Sequence, residues 1–375
     1  MTTRPPARAS SAGPQSRRLT SRLARPPACH HWANLPTPVQ RAPWLDGGGV
    51  ECWIKRDDLS SPIYGGGKVR KLEWLLATPP FDGPEPLVSM GGIGSHHLLA
   101  LALFLARQDR ALHALVFDQV LTSHARTNLA ALASLGTEFW SSRTRAGLGW
   151  SGLAYRTWAK PGQGGIPVEA GASSPLGSLG FVEAGLELAA QIEAKLIPRP
   201  ARIYITAGSA GSSAGLALGL ALAGCGTHLR LVSAVEIPIF NRILFRHKLR
   251  VVYAELRRRS IDSDGATSAA HLLHRSCVRW SIDHSQVGRG YAVPTDESRA
   301  ALIRARDYGI GLENTYTGKC VAAIQWDLQH GRLTRGSSIL FWNTHAGTDL
   351  SPHIRDDWEA SLPPALRRRI ERGQP

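Results

Sequence analysis

The sequence predicts an α/β protein built as two three-layer α/β/α domains with mostly parallel sheets, facing each other across a cleft. Three observations lead to this. Short apolar runs alternate with helical patterns along most of the chain, the pattern of strands followed by crossover helices. Glycine- and serine-rich segments recur where a strand-like run ends and a helical pattern begins, the place where open parallel sheets bind ligands. The length of 375 residues and a hydrophobic fraction of 43% suit two domains, each with its own core.

Residues 1–27 are rich in Pro, Ser and Arg, and carry Arg4, Arg8, Arg17, Arg18, Arg22 and Arg25 without one acidic residue. They are expected to form a disordered basic tail. Their acid-poor character superficially fits a transit peptide, but they lack the apolar stretch of a secretory signal, and a loose extension is the more economical reading. Ordered sequence is expected from about Pro36. Residues 87–90 read as a strand followed by a helix over 98–106, and residues 112–117 as a strand followed by a helix around 128–135. Residues 162–172, rich in Gly and Pro, read as a linker before a helix over 181–195. Residues 202–206 form the next strand, with a Gly/Ser loop and a helix from Ala214; 229–234 and 339–342 are further strands. Thr295 is a helix N-cap with Asp296 and Glu297 in the first turn, and Gly309 is the stop. The chain divides accordingly into a large domain (28–68 and 176–360), a small domain inserted in it (69–175), and a basic C-terminal tail (361–375) with Arg367, Arg368 and Arg369.

The formal net charge is +15, but much of the excess sits in the two tails, and no aromatic residue interleaves with it in the first thirty positions. That favours solvated tails over a nucleic-acid surface. The five cysteines are scattered and never spaced CxxC, which argues against a disulfide framework and a structural zinc site and for a reducing, cytoplasmic setting. Arg107 interrupts the apolar run over 98–117, and the run over 214–223 is short, so no membrane partner is expected.

Five segments carry chemistry. In Gly65-Gly66-Gly67-Lys68-Val69-Arg70-Lys71-Leu72-Glu73, three glycines allow close backbone approach and Lys68 stands at a helix start, where a protonated amine is disfavoured. Residues 206–215, with Ala210, Gly211, Ser212 and Ser213 at their centre, follow a strand and open an apolar helix. They can converge backbone N–H groups on a phosphate, yet match neither the Walker nor the dinucleotide loop. Ser95, His96 and His97 follow another strand; adjacent histidines rarely share one ion and no third ligand is evident, so no metal is expected. Tyr316-Thr317-Gly318-Lys319 precedes a helix over 320–328, and Asn343-Thr344-His345-Ala346-Gly347-Thr348 follows the last strand.

Taken in order, with Ile54-Lys55-Arg56-Asp57-Asp58-Leu59, residues 174–183 and Tyr291-Ala292-Val293-Pro294, these segments resemble one family over residues 53–347. It is the group of pyridoxal-phosphate enzymes of the tryptophan-synthase-β fold type that contains D-cysteine desulfhydrase and 1-aminocyclopropane-1-carboxylate deaminase. The resemblance implies pyridoxal 5'-phosphate held in the cleft between the two domains, and a small amino acid as substrate, with a homodimer among the assemblies left open. It implies that Lys68 bonds the cofactor covalently and moves the substrate proton, and that Lys71 lies near the phosphate. Ala210, Gly211, Ser212 and Ser213 match the phosphate loop, Ser95 the serine that contacts substrate, Tyr291 and Tyr316 the flanking tyrosines, and Thr344 the threonine near the pyridine nitrogen. The chain departs from the family at Gly67 and His96, both usually Asn, and at Ala346, usually Gly. The Asn at His96 bonds the cofactor's phenolic oxygen, and a histidine can still donate there. Thr317 stands where ring-opening members carry Glu against the pyridine nitrogen, and His97 where they carry Gln. These two imply desulfhydrase-like β-elimination over deamination of the cyclopropane amino acid, while the departures leave open a diverged cofactor-binding protein without this activity.

Overall fold

The computed structural model describes residues 18–158, 164–263 and 265–373. It is a mixed α/β structure with two mostly parallel sheets. The larger sheet has six strands in the spatial order Val39–Arg41, Glu51–Arg56, Ser338–Asn343, Arg202–Ala207, His228–Ser233, Arg279–Asp283; the first pair is antiparallel and the rest are parallel. The smaller sheet orders Glu138–Ser142, Leu112–Phe117, Leu87–Gly92 and Ile166–Pro167, all parallel. Its strands all come from the stretch between Glu51–Arg56 and Arg202–Ala207 of the larger sheet.

Both sheets are covered on two faces, as the near-continuous apolar strands require. Successive strand residues point to opposite faces. Leu340 and Trp342 therefore pack with Ile203, Ile205 and the helices Pro175–Glu193 and Gly211–Leu222. Ile339 and Phe341 pack on the other side with Tyr204 and the helices Asp296–Arg306 and Thr317–Gln329. In the smaller sheet Leu112, Ala114 and Val116 face the helices His96–Ala106 and Ser123–Ser134, while Leu115 and Phe117 face Leu148 and Tyr155. Thr295 caps its helix reciprocally with Ser298, and Gly309 takes a positive φ of 69° beyond that helix's end.

Three expectations need correction. Residues 18–27 are not a loose tail: Leu19 and Leu23, one helical turn apart, are buried in the core, and the Arg18 and Leu19 N–H groups donate to the Glu183 carboxylate at 3.0 and 2.7 Å. Residues 1–17 of that expected tail lie outside the described residues. The C-terminal segment also docks, because Leu366 and Ile370 on the helix Pro364–Glu371 form an apolar stripe within the arginine run, and Arg369 pairs with Asp118 at 2.8 Å. Part of the expected linker is a strand: Ile166–Pro167 pairs with Leu87 and Val88. The strands Glu138–Ser142 and Arg279–Asp283 and the helix Arg242–Arg258 were hidden by their charged and polar residues; that helix buries Phe245, Leu249, Val252, Tyr253 and Leu256 on one face.

Candidate active site

A cavity of about 330 Å³ opens between the two sheets, at the carboxyl ends of their parallel strands. Gly91 and Gly92, Phe117, Thr206 and Ala207, and Thr344 bring it a wall from each of four strand ends.

Lys68 enters the cavity from the first turn of the helix Gly67–Leu75. The turn before it depends on Gly66, whose φ of 83° is a left-handed value and whose missing Cβ leaves room for the Thr344 carbonyl, 2.6 Å from where that atom would stand. Gly66 N–H donates to Asp57 O at 2.7 Å and Gly67 N–H to Thr344 O at 3.2 Å, tying the lysine's loop to two strand ends. At Gly67 a Cβ would lie 2.8 Å from Cζ of Phe181, so a side chain there would crowd that ring. Burial pushes the Lys68 ammonium below its ordinary pKa, with the Glu313 carboxylate pulling the other way.

The helix behind Lys68 is anchored by a buried ion cluster. Arg70 forks onto Asp57 (2.9 and 2.8 Å) and onto Glu187 (2.9 and 3.0 Å). Lys55 pairs with Glu187 and donates to Thr37 O and Gln191 Oε1, both at 2.7 Å, and Trp342 Nε1 donates to Asp57 at 2.8 Å. Two cations and two carboxylates thus lock the strands Glu51–Arg56 and Ser338–Asn343 and the helix Pro175–Glu193 to the lysine's helix. That last helix presses so close that a Cβ on Gly180 would fall on the Arg70 carbonyl.

The expected phosphate loop runs from the strand Arg202–Ala207 through Gly208, Ser209 and left-handed Ala210 (φ 67°) into the helix Gly211–Leu222. Ala210, Ser212 and Ser213 line the cavity. The first N–H groups of a helix have no partner within it and favour an anion. Thr206 Oγ1 and Ser213 Oγ are buried there without a hydrogen-bond partner among the described residues. Two orphaned hydroxyls at an open helix N-terminus fit a phosphate dianion, so the residues present suit pyridoxal 5'-phosphate. Thr206 was missed as a site residue, although it begins the segment singled out in the sequence.

Two expected residues stand behind this loop instead of in the cavity wall. Lys71 donates to Gly171 O (2.9 Å) and Ser173 Oγ (2.8 Å), and Ser173 meets Ser209 at 2.6 Å. Burial, then repulsion from Lys68 and Lys248, holds its pKa well below the ordinary lysine value. Gly211 packs on the same Ser173, 2.6 Å from its Oγ to the place of a Cβ.

The remaining expected residues converge. Ser95 lines the cavity and its Oγ also caps the next helix, accepting Leu98 N–H at 3.4 Å. Tyr291 and Tyr316 share a hydroxyl contact of 3.4 Å, and burial raises both phenols, Tyr316 well above its ordinary value. Arg145 lies over the Tyr291 ring at 5.1 Å. Thr317 is buried on the lining, and its hydroxyl donates to Glu313 Oε1 at 3.2 Å. Glu313, which the sequence reading passed over, is the buried carboxylate of the cavity wall; it accepts the N–H groups of Thr315, Tyr316 and Thr317 at 2.7–2.9 Å. Only its capping distance to Thr317, four residues on, could have flagged it.

His97 also lines the cavity, with its Nε2 2.8 Å from Ser89 Oγ. His96 meets His124 and His345, which corrects the expectation that no third ligand stands near it. Burial, aided by the neighbouring imidazoles and Lys68, holds His96 well below the ordinary imidazole pKa. Burial also lowers His124 and brings His345 to about 4, in both cases against the pull of Glu313.

A phosphate-ready helix N-terminus opposite a half-buried lysine, between two mostly parallel sheets, fits an enzyme that takes a phosphorylated cofactor. The comparison with known families agrees: residues 33–345 match the model of the pyridoxal-phosphate dependent enzymes, and the chain belongs to that family. Among solved structures it is similar to an ACC deaminase homologue (21% identity, TM-score 0.69, covering 92% of this chain and 98% of that one). It is also similar to the processed form of threonine deaminase isoform 2 from Solanum lycopersicum (15%, TM-score 0.56, 91% and 88%) and to an L-serine ammonia-lyase from the fungus Rhizomucor miehei (15%, TM-score 0.52, 86% and 97%). At these identities the likeness speaks for the shared fold. The protein is a pyridoxal-phosphate-dependent enzyme.

Proposed function

We propose that the protein catalyses β-elimination from a small amino acid bearing a thiol on Cβ, with D-cysteine as the reference substrate. One substrate and one water give pyruvate, ammonia and sulfide. The observation that carries this reading is Thr317, a neutral hydroxyl directly after Tyr316, where a carboxylate would hold a proton on the pyridine nitrogen. When bound, pyridoxal phosphate supplies an electron sink for the pair left when the Cα proton departs.

The chain's own residues do the rest in this reading. The N–H groups and hydroxyls of Ser212 and Ser213, with Thr206 Oγ1, would hold the cofactor's phosphate. Lys68, its ammonium destabilised by burial, takes the Cα proton. Tyr316 and Tyr291, whose phenols stay protonated at neutral pH, offer a proton to the departing sulfur. Ser95 orients the substrate carboxylate from the start of the helix His96–Ala106.

A second reading, opening of 1-aminocyclopropane-1-carboxylate, is favoured by Glu313, which puts a carboxylate against Thr317 after all. It is spent on three N–H groups, which is why it ranks second. Supplying each amino acid separately and measuring sulfide, ammonia and 2-oxobutanoate decides. Release of 2-oxobutanoate without sulfide would overturn the first reading, and a visible cofactor band with no turnover would overturn both. The reading includes a reducing cytoplasmic setting, which suits five free cysteines, and no nucleic-acid or membrane partner. Among the described residues no helix is long and apolar enough to cross a membrane. It also includes a homodimer, for which the exposed Ile237, Ile239, Ile243 and Leu244 offer an apolar surface; sedimentation tests that assembly.

A further inference from the structure

His96, His124 and His345 come from three separate elements: the first turn of the helix His96–Ala106, the first turn of the helix Ser123–Ser134, and the loop after the strand Ser338–Asn343. Their ring nitrogens nevertheless lie within 4.8 Å of one another. The ring centroids stand 4.6, 5.7 and 5.5 Å apart, close enough for the three imidazoles to share one small volume.

Hydrogen bonding among the rings accounts for only part of this arrangement. His96 Nε2 and His124 Nε2 are 2.8 Å apart, which satisfies one pair. His345 gains nothing from it: the residue is 8% exposed, and its Nδ1 is buried with no partner among the described residues. A buried imidazole nitrogen without a partner is costly, and the cost is removed when its lone pair meets a cation. The outer side of His96 is also arranged as in a metal site. Its Nδ1 meets the Tyr64 hydroxyl at 2.6 Å. When Nδ1–H donates to that oxygen, Nε2 is left as a lone pair facing His124; such a contact fixes tautomer and ring plane in histidine-ligated sites.

We propose that His96, His124 and His345 form a three-histidine site for a borderline divalent cation, zinc first, in the wall of the active cavity. All three donors are imidazole nitrogens, which suit zinc, copper, nickel and ferrous iron and are poor partners for magnesium or calcium. Zinc–nitrogen bonds of about 2.0–2.1 Å in tetrahedral array place ligand nitrogens about 3.3 Å apart. The 2.8 Å pair opens slightly and His345 closes in to meet that. Since His96 and His345 line the cavity, the fourth position is reached from the side where substrate enters. The inference does not depend on which amino acid the enzyme uses.

The test is direct binding of zinc to the holoenzyme, after dialysis against a chelator, by calorimetry and by metal content after desalting. The expected result is one zinc per chain. His124→Ala and His345→Ala should each abolish it, and Tyr64→Phe should weaken it by about 10–100-fold, as loss of a partner of a ligating histidine does. His353→Ala, an exposed histidine elsewhere, should bind as the parent does. Because His124 is only half-buried, its variant should keep the circular dichroism spectrum and the cofactor absorption band, so loss of zinc there reads as loss of a ligand. His124→Gln repeats the test with a side chain of similar reach. Failure of the parent holoenzyme to retain zinc overturns the proposal, and so does equal retention in the parent and the His124 and His345 variants.

Discussion

Replacing Arg70 by Met tests whether the buried ion cluster holds the lysine's helix in place. In the parent, Lys55 and Arg70 balance Asp57 and Glu187, and Arg70 alone supplies four charge-assisted bonds to the two carboxylates. Methionine fills most of the volume but leaves two buried carboxylates facing one ammonium. Breaking a buried pair from one side costs about 3–5 kcal/mol, because the charge left behind is desolvated and unmatched. Against a typical total of about 5–15 kcal/mol, that is a large fraction. Urea unfolding followed by circular dichroism measures it, with the slope unchanged and the midpoint lowered. Adding Glu187→Gln restores the balance to one cation and one carboxylate. The double variant should therefore be more stable than the sum of the singles by at least about 1 kcal/mol. A loss below about 1 kcal/mol for Arg70→Met, or strict additivity in the pair, would refute the reasoning.

Three further outcomes are expected. Lys68→Ala should lower turnover by at least about 1000-fold, since covalent anchor and base go together; borohydride reduction and peptide mapping of the parent should find the label on Lys68, and a label on Lys71 or Lys319 would reassign the role. Gly211→Asp should weaken cofactor binding by about tenfold or more, because its side chain pushes on Ser173 and puts a negative charge beside the phosphate; unchanged occupancy by absorbance would count against the loop. Acid stability should follow Glu187: burial alone would raise its pKa, but Arg70 and Lys55 more than offset this and hold it at about 2 against an ordinary 4.5. A depressed carboxylate stabilises the fold fully above pH 4.5 and loses that contribution as pH falls from there towards 2, so unfolding midpoints should drop across this window in the parent and less steeply in Glu187→Gln.

The sequence by itself determined the fold class and most of the cavity wall. Apolar runs marked the strands with few charges, such as Leu112–Phe117, which is buried throughout and carries His113 as its one polar residue. The glycine run before Lys68 and the small residues of 208–213 were legible because close backbone approach admits few residue types. Composition misled where amphipathic segments are rich in arginine. Leu19 and Leu23, or Leu366 and Ile370, are buried by the one apolar stripe they present, while Arg18, Arg22, Arg367 and Arg368 beside them stay exposed and Arg369 pairs with Asp118. Tertiary structure alone decided the rest, because these groups meet only when distant segments pack. Glu187 reaches Lys55 and Arg70 across more than a hundred residues, and Glu313 faces the cavity only through the fold of its loop. His96 gains His124 and His345 from 28 positions along the chain and from the far sheet. A local pattern can report which face of an element is buried, but not which charge or ring another element brings to meet it.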